Sequence, residues 1–131
     1  MRARVAKVCI TPPVGTWQGG YGARSRACEG IHDDLYARAL VLESDDGTTR
    51  VAVVSIDIVT LTSELTEATR RRAEAATGIP AGNIALCTSH THGGPATRAY
   101  GETGPQANGE YLPILEQYLA GAVAAATRSL Q

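Results

Sequence analysis

Nowhere does this sequence run apolar for long enough to cross a bilayer, a span that takes about 20 residues. No signal-peptide pattern opens it either, since Met1-Arg2-Ala3-Arg4 passes at once into strand-like Val5 to Ile10. The expected location is cytoplasmic, with secretion left open should a segment lie upstream. Charge of one sign is also missing. Twelve basic and 13 acidic residues leave a formal net charge of −1, which gives no reason to expect nucleic acid or an acidic membrane as partner. Cysteine is scarce: Cys9, Cys28 and Cys87 are an odd number without CxxC spacing, which argues against a disulfide framework or a zinc ribbon and fits a reducing compartment. Cys9 and Cys87 lie in strand-like apolar runs and are expected as small core residues. Lys7 is the only lysine among the 12 basic residues, which reads as coding bias. Internal repeats, low-complexity segments and linkers are absent, so residues 1–131 read as a single domain. A chain of this length can bury roughly two thirds of its unfolded surface.

The elements that are present alternate in an α/β manner. Val5 to Ile10 reads as a strand stopped by Thr11-Pro12-Pro13. A long glycine-bearing loop over residues 12–34 carries Trp17, Tyr21, Arg24, Arg26 and His32, and loops of this length are usually functional or disordered. Leu35 to Glu43 and Thr49 to Asp57 are strands joined through Asp46-Gly47, an antiparallel hairpin signal. The second of these is apolar on both faces and should be central. A helix is expected over Ser63 to Thr77, with Thr62 or Ser63 as N-cap and Gly78-Pro80 as its stop. The run Arg70-Arg71-Arg72 reads as a solvated helix face. A last helix over Glu110 to Arg128 tolerates Pro113 only in its first turn and buries Leu112, Leu115, Leu119, Val123 and Ala126. The architecture so described is a mixed β-sheet with a hairpin and a βαβ unit, helices packed on the sheet.

The chemistry concentrates near residue 90. The apolar run Ile84 to Cys87 leads into Thr88-Ser89-His90-Thr91-His92-Gly93-Gly94-Pro95, which holds two of the three histidines. In extended backbone, positions i and i+2 project to one side, so both imidazoles could face one point, and neutral imidazole is a common zinc ligand. A polar strand end whose histidines only hydrogen-bond is the competing reading. The βαβ unit places the ends of strands 49–57 and 83–89 at the same sheet edge, where open α/β sheets bind ligands. Asp57 should therefore approach His90, either as a carboxylate orienting the imidazole or as a turn or helix cap.

Several segments, taken in order, resemble the neutral (non-lysosomal) ceramidase family. They are Cys9-Ile10-Thr11, Gly20-Tyr21-Gly22, Leu35-Tyr36-Ala37-Arg38-Ala39-Leu40, Val54-Ser55-Ile56-Asp57-Ile58, and Asn83-Ile84-Ala85-Leu86 leading to His90-Thr91-His92-Gly93-Gly94-Pro95. Ile31-His32 is similar to a pair in bacterial members. The resemblance covers the N-terminal part of the family's catalytic domain. It implies zinc-dependent hydrolysis of the amide of a ceramide-like lipid to fatty acid and sphingoid base. It assigns His90 as a Zn2+ ligand and His92 as the catalytic, proton-handling group, with Asp57, His32 and Tyr21 as surrounding candidates.

Two departures qualify that picture. Gly93 stands where the family has serine, and the family's remaining zinc ligands belong to later segments without a counterpart here. Three readings follow: part of a longer or assembled zinc amidohydrolase, a noncatalytic truncated domain or assembly subunit, or another metal-dependent hydrolase with a site rebuilt from His90, His92, Asp57 and His32. Self-association or a partner chain covering the missing segments is expected, because Ala122 to Ala126 is apolar nearly all round.

Overall fold

The computed structural model describes residues 1–128. Four strands, β1 (Arg2–Cys9), β2 (Tyr36–Glu43), β3 (Arg50–Ile56) and β4 (Ile84–Thr88), form one sheet in the order β1-β2-β3-β4. The β1-β2 and β2-β3 pairs are antiparallel and β3-β4 is parallel, so the sheet is mixed as expected. Strand β1 starts three residues earlier than the apolar pattern suggests, because its ladder with β2 runs from Arg2↔Glu43 to Cys9↔Tyr36. The hairpin turns at Gly47, whose φ of 71° is the left-handed value that Asp-Gly turns require. Asp46 caps that turn. Hydrogen bonds from the Ser44 hydroxyl and from the Thr48 amide and hydroxyl lower its carboxyl from the usual 3.8 to about 2.

Helix α1 (Ser63–Thr77) joins β3 to β4, with Thr62 Oγ1 accepting the Leu65 amide at its start and Gly78 ending it at φ 71°. Helix α2 (Leu112–Arg128) follows a second loop, and Pro113 sits in its first turn, where its missing N–H has no partner to lose. The arginine run of α1 is not a purely solvated face. Arg70 Nε donates to the Ile84 carbonyl at 2.9 Å, and Arg72 Nε reaches Glu116 of α2 at 2.6 Å, so only Arg71 is left outward of the three without such a tie.

One face of the sheet is covered and the other is not. Ala37, Ala39, Val41, Ala52, Val54, Ile56 and Ile84 point to the helices and are buried with Leu65, Ala73, Leu115, Leu119 and Val123. The alternate positions form an open face. Across its middle run Val5, Leu40, Val53 and Ala85 in register, with Val5 73% and Val53 40% exposed. This corrects two expectations. The apolar run at the end of α2 is covered by the sheet and α1, with Ala122, Val123, Ala124 and Ala126 all buried. The uncovered apolar surface is the back of the sheet. Cys9 and Cys87 are likewise exposed rather than core residues, because strand alternation turns both to that face.

Candidate functional site

The edge formed by the C-terminal ends of β3 and β4 carries the histidines, on the turn that follows β4. Pairing stops at Ile56↔Thr88, and the Ser89 amide closes it by donating to the Ile56 carbonyl at 2.9 Å. His90 then adopts φ 61°, the only non-glycine residue with positive φ among those described. The two imidazoles are thus brought together by a left-handed turn and not by an extended strand. Their ring centroids lie 5.2 Å apart, nearly edge to face. A backbone strained in this way costs of order 1 kcal/mol and survives only where surrounding contacts hold it.

For His90 that contact is the backbone just past β3. Its Nδ1 lies 2.9 Å from the Val59 carbonyl oxygen, which can only accept, so Nδ1 carries the proton and Nε2 keeps its lone pair. Ligating histidines typically hold their second nitrogen in this manner. His92 is packed differently. Its ring lies against Gly20, edge-on to Tyr21 at 4.6 Å between centroids, and its Nδ1 is buried with no hydrogen-bond partner.

The other predicted residues separate into near and far. Tyr21 joins the site, half exposed, with the Arg24 guanidinium 5.2 Å over its ring. Asp57 shares the sheet edge, but its Oδ2 accepts the Tyr36 amide and Arg38 Nη1, each at 3.0 Å. The group that orients His90 is therefore the Val59 carbonyl and not the Asp57 carboxylate. His32 is fully solvated and paired with Asp33 at 2.6 Å; it stands at the rim of a cleft of about 300 Å³ whose walls include Pro12, Ile31, Thr91 and Pro95. His90, His92, Asp57 and His32 do not converge into one ligand set. Among the described residues no three His, Cys, Asp or Glu side chains are arranged to hold a metal ion.

Sequence reasoning missed Asn108, which fastens the loops that frame this site. Its Oδ1 accepts the Trp17 amide, and its Nδ2 donates to the carbonyls of Trp17 and Ala96, all at 2.8 Å. Its own carbonyl accepts the Tyr111 and Leu112 amides at the start of α2. Asn108-Gly109 before a helix was the available signal, but it reads as an ordinary helix entry.

The sequence profile described as neutral/alkaline non-lysosomal ceramidase, N-terminal, matches residues 5–127. Neutral ceramidases of Drosophila pseudoobscura pseudoobscura and Drosophila melanogaster are each 36% identical to this chain over 94 residues. That stretch is 70% of this chain and 13% of the fly proteins. The crystal structure of neutral ceramidase from Pseudomonas aeruginosa superposes with a TM-score of 0.82 at 21% identity, covering 96% of this chain and 21% of that one. A structure of ceramidase complexed with C2 gives a TM-score of 0.81 over 98% of this chain, again at 21% identity and covering 21% of the solved chain. At that identity the superpositions speak for the fold. The chain spans about an eighth of the length of the curated relatives it matches, 13%.

Proposed function

Because this chain belongs to the neutral/alkaline non-lysosomal ceramidase family over residues 5–127, we propose that it forms the His-x-His wall of a zinc amidohydrolase centre acting on ceramide-like N-acyl lipids. The bond cleaved is the amide between fatty acid and sphingoid base. In this reading His90 offers Nε2 to the metal, and His92 moves protons between water and the leaving amine at its own Nε2. A zinc ion bound there would polarise the amide carbonyl and lower the pKa of its water towards about 7.

The observation that carries the reading is the 2.9 Å contact of His90 Nδ1 with the Val59 carbonyl. It fixes the tautomer and aims a lone pair outward from a turn whose backbone is held in an unfavourable conformation. The donor set falls short of a complete zinc site. A catalytic zinc takes about three protein ligands and an open position, and no three-ligand cluster exists among the described residues. The chain therefore acts as a contributor to a composite centre, its other ligands coming from polypeptide that the longer relatives possess. The open face of the sheet, with Val5, Leu40 and Val53, is the surface on which that polypeptide would seat.

Zinc content and amide hydrolysis, measured together, test this. The chain alone should hold well under one equivalent of zinc. Mixed with polypeptide equivalent to the remainder of a family member, it should take up zinc and release fatty acid from a short-chain ceramide. His90→Ala should abolish both, and His92→Ala should keep the zinc while lowering turnover. Zinc retained by His90→Ala would overturn the ligand assignment. A complemented chain that binds zinc yet never hydrolyses the amide would instead identify a noncatalytic assembly subunit.

A further inference from the structure

The segment Gln18 to Arg24 lies across the turn that follows His90 and takes three successive carbonyls of that turn. Arg24 Nη2 donates to the His92 carbonyl at 2.7 Å, Gln18 Nε2 reaches the Gly93 carbonyl at 3.4 Å, and the Gly19 amide donates to the Gly94 carbonyl at 2.9 Å. Arg24 Nη1 also donates to Gln18 Oε1, so the two long side chains brace each other. Gly20 supplies the space. It sits at φ 97°, and a Cβ there would stand 2.4 Å from His92 Cγ and 2.6 Å from its Nδ1, too close for any side chain. The Tyr21 ring closes the remaining side of the imidazole at 4.6 Å.

We infer that Gln18, Gly20 and Arg24 are positioning residues for His92, holding its ring with Nδ1 sealed against the loop so that Nε2 is the nitrogen open to exchange. A glycine-glycine turn has little rigidity of its own, so the orientation of the preceding imidazole depends on what anchors its carbonyls. Arg24 provides the strongest anchor because its hydrogen bond is charge-assisted and comes from a planar, multiply bonded guanidinium. The buried, unpartnered Nδ1 has the same origin: Gly20 brings the loop onto the ring face and leaves no acceptor or water path beside that nitrogen. The consequence for proton handling rests on the reading of His92 given above. The positioning itself does not. A displacement of a reacting group by 1 Å can cost about a hundredfold in rate.

Imidazole NMR of the whole chain, with labelled histidine and no metal or substrate, tests the inference. The parent should show a Tyr21–His92 ring contact and a single set of His92 ring resonances. Arg24→Ala should lose the ring contact and shift the His92 resonances, while His90 and the sheet amides stay in place. Arg24→Lys, which can still donate to the His92 carbonyl, should recover much of the contact. Arg26→Ala, at an exposed arginine paired with Glu29, should change nothing. Gly20→Ala should displace the ring, and if that variant does not fold the Arg24 pair decides. An unchanged ring contact in Arg24→Ala would overturn the inference, as would equal loss in Arg24→Lys accompanied by an equal fall in melting temperature. Absent zinc binding or amidase activity would count against the proposed function and leave this result standing.

Discussion

Arg38 and Asp57 meet at the end of the β2-β3 ladder, with Nη1 of the arginine 3.0 Å from Oδ2 of the aspartate. The same oxygen accepts the Tyr36 amide at 3.0 Å, one residue before the last paired position of β2 with β3. The carboxylate thus completes the ladder where backbone pairing runs out. Its position at the sheet edge is the one the βαβ order dictates, and its partners are structural.

Asp57→Asn is therefore expected to cost stability of about 1–2 kcal/mol, since it removes a charge-assisted bond from a partly exposed pair. Urea unfolding measures this. The His90 imidazole resonances should not move, because the Val59 carbonyl holds that ring. A shift of the His90 ring without loss of stability would restore Asp57 as its orienting group.

The left-handed backbone of His90 predicts an ordering among substitutions. Glycine carries no penalty at φ 61°, whereas a Cβ costs about 1 kcal/mol there. His90→Gly should be more stable than His90→Ala by that amount, although both lose the bond to Val59. Denaturant midpoints of the two variants check it, and equal stabilities would mean the turn relaxes in the absence of the ring.

Asn108→Ala should loosen the site from outside. It strands the Trp17 amide and takes one hydrogen bond each from the Trp17 and Ala96 carbonyls, which keep the Ala96 and Asn108 backbone amides. The expected cost is about 1–3 kcal/mol, dominated by the Trp17 amide left without a partner. Amide exchange should rise first at residues 16–19 and 94–97, with the sheet protected.

Tyr111 predicts a loss of stability at alkaline pH. Burial, with smaller effects from Tyr118 and Cys9, raises its hydroxyl far above the usual phenol range, and the hydroxyl donates to the Ile10 carbonyl. Its folded pKa is raised, so its contribution is fully present below the unfolded value of about 10 and declines as pH rises beyond it. Urea midpoints between about pH 8 and 11 should fall more steeply for the parent than for Tyr111→Phe. Tyr118→Phe, at a more exposed tyrosine, should keep most of the parent's slope.

The parts of this fold visible in the sequence are those governed by local rules. Thr62 and Gly78 bracket α1 at the residues their capping chemistry selects, and Asp46-Gly47 places the hairpin. The adjacency of β3 and β4 follows from the helix between them. What escaped was set by long-range burial. Nothing in the alternation of β3 tells that one of its two apolar faces lacks a covering layer, so the sequence alone reads Cys9 and Cys87 as core residues. The histidine pair was legible as a site, but the means of bringing the rings together was not. The φ of 61° at His90 is held by the Val59 carbonyl, 31 positions away in the chain, and the His92 ring is seated by the loop at Gly20.

The sheet order β1-β2-β3-β4 repeats the order of synthesis. Each strand leaving a ribosome finds its neighbour already made, and no strand waits for a later segment to be inserted between two earlier ones. Assembly can then proceed vectorially, each ladder closing before the next strand is needed. The pair β3-β4, which forms last and carries the histidine turn at its end, would be the final part to set. A ribosome paused with β4 still inside its exit tunnel should therefore hold a formed hairpin and an unformed histidine turn.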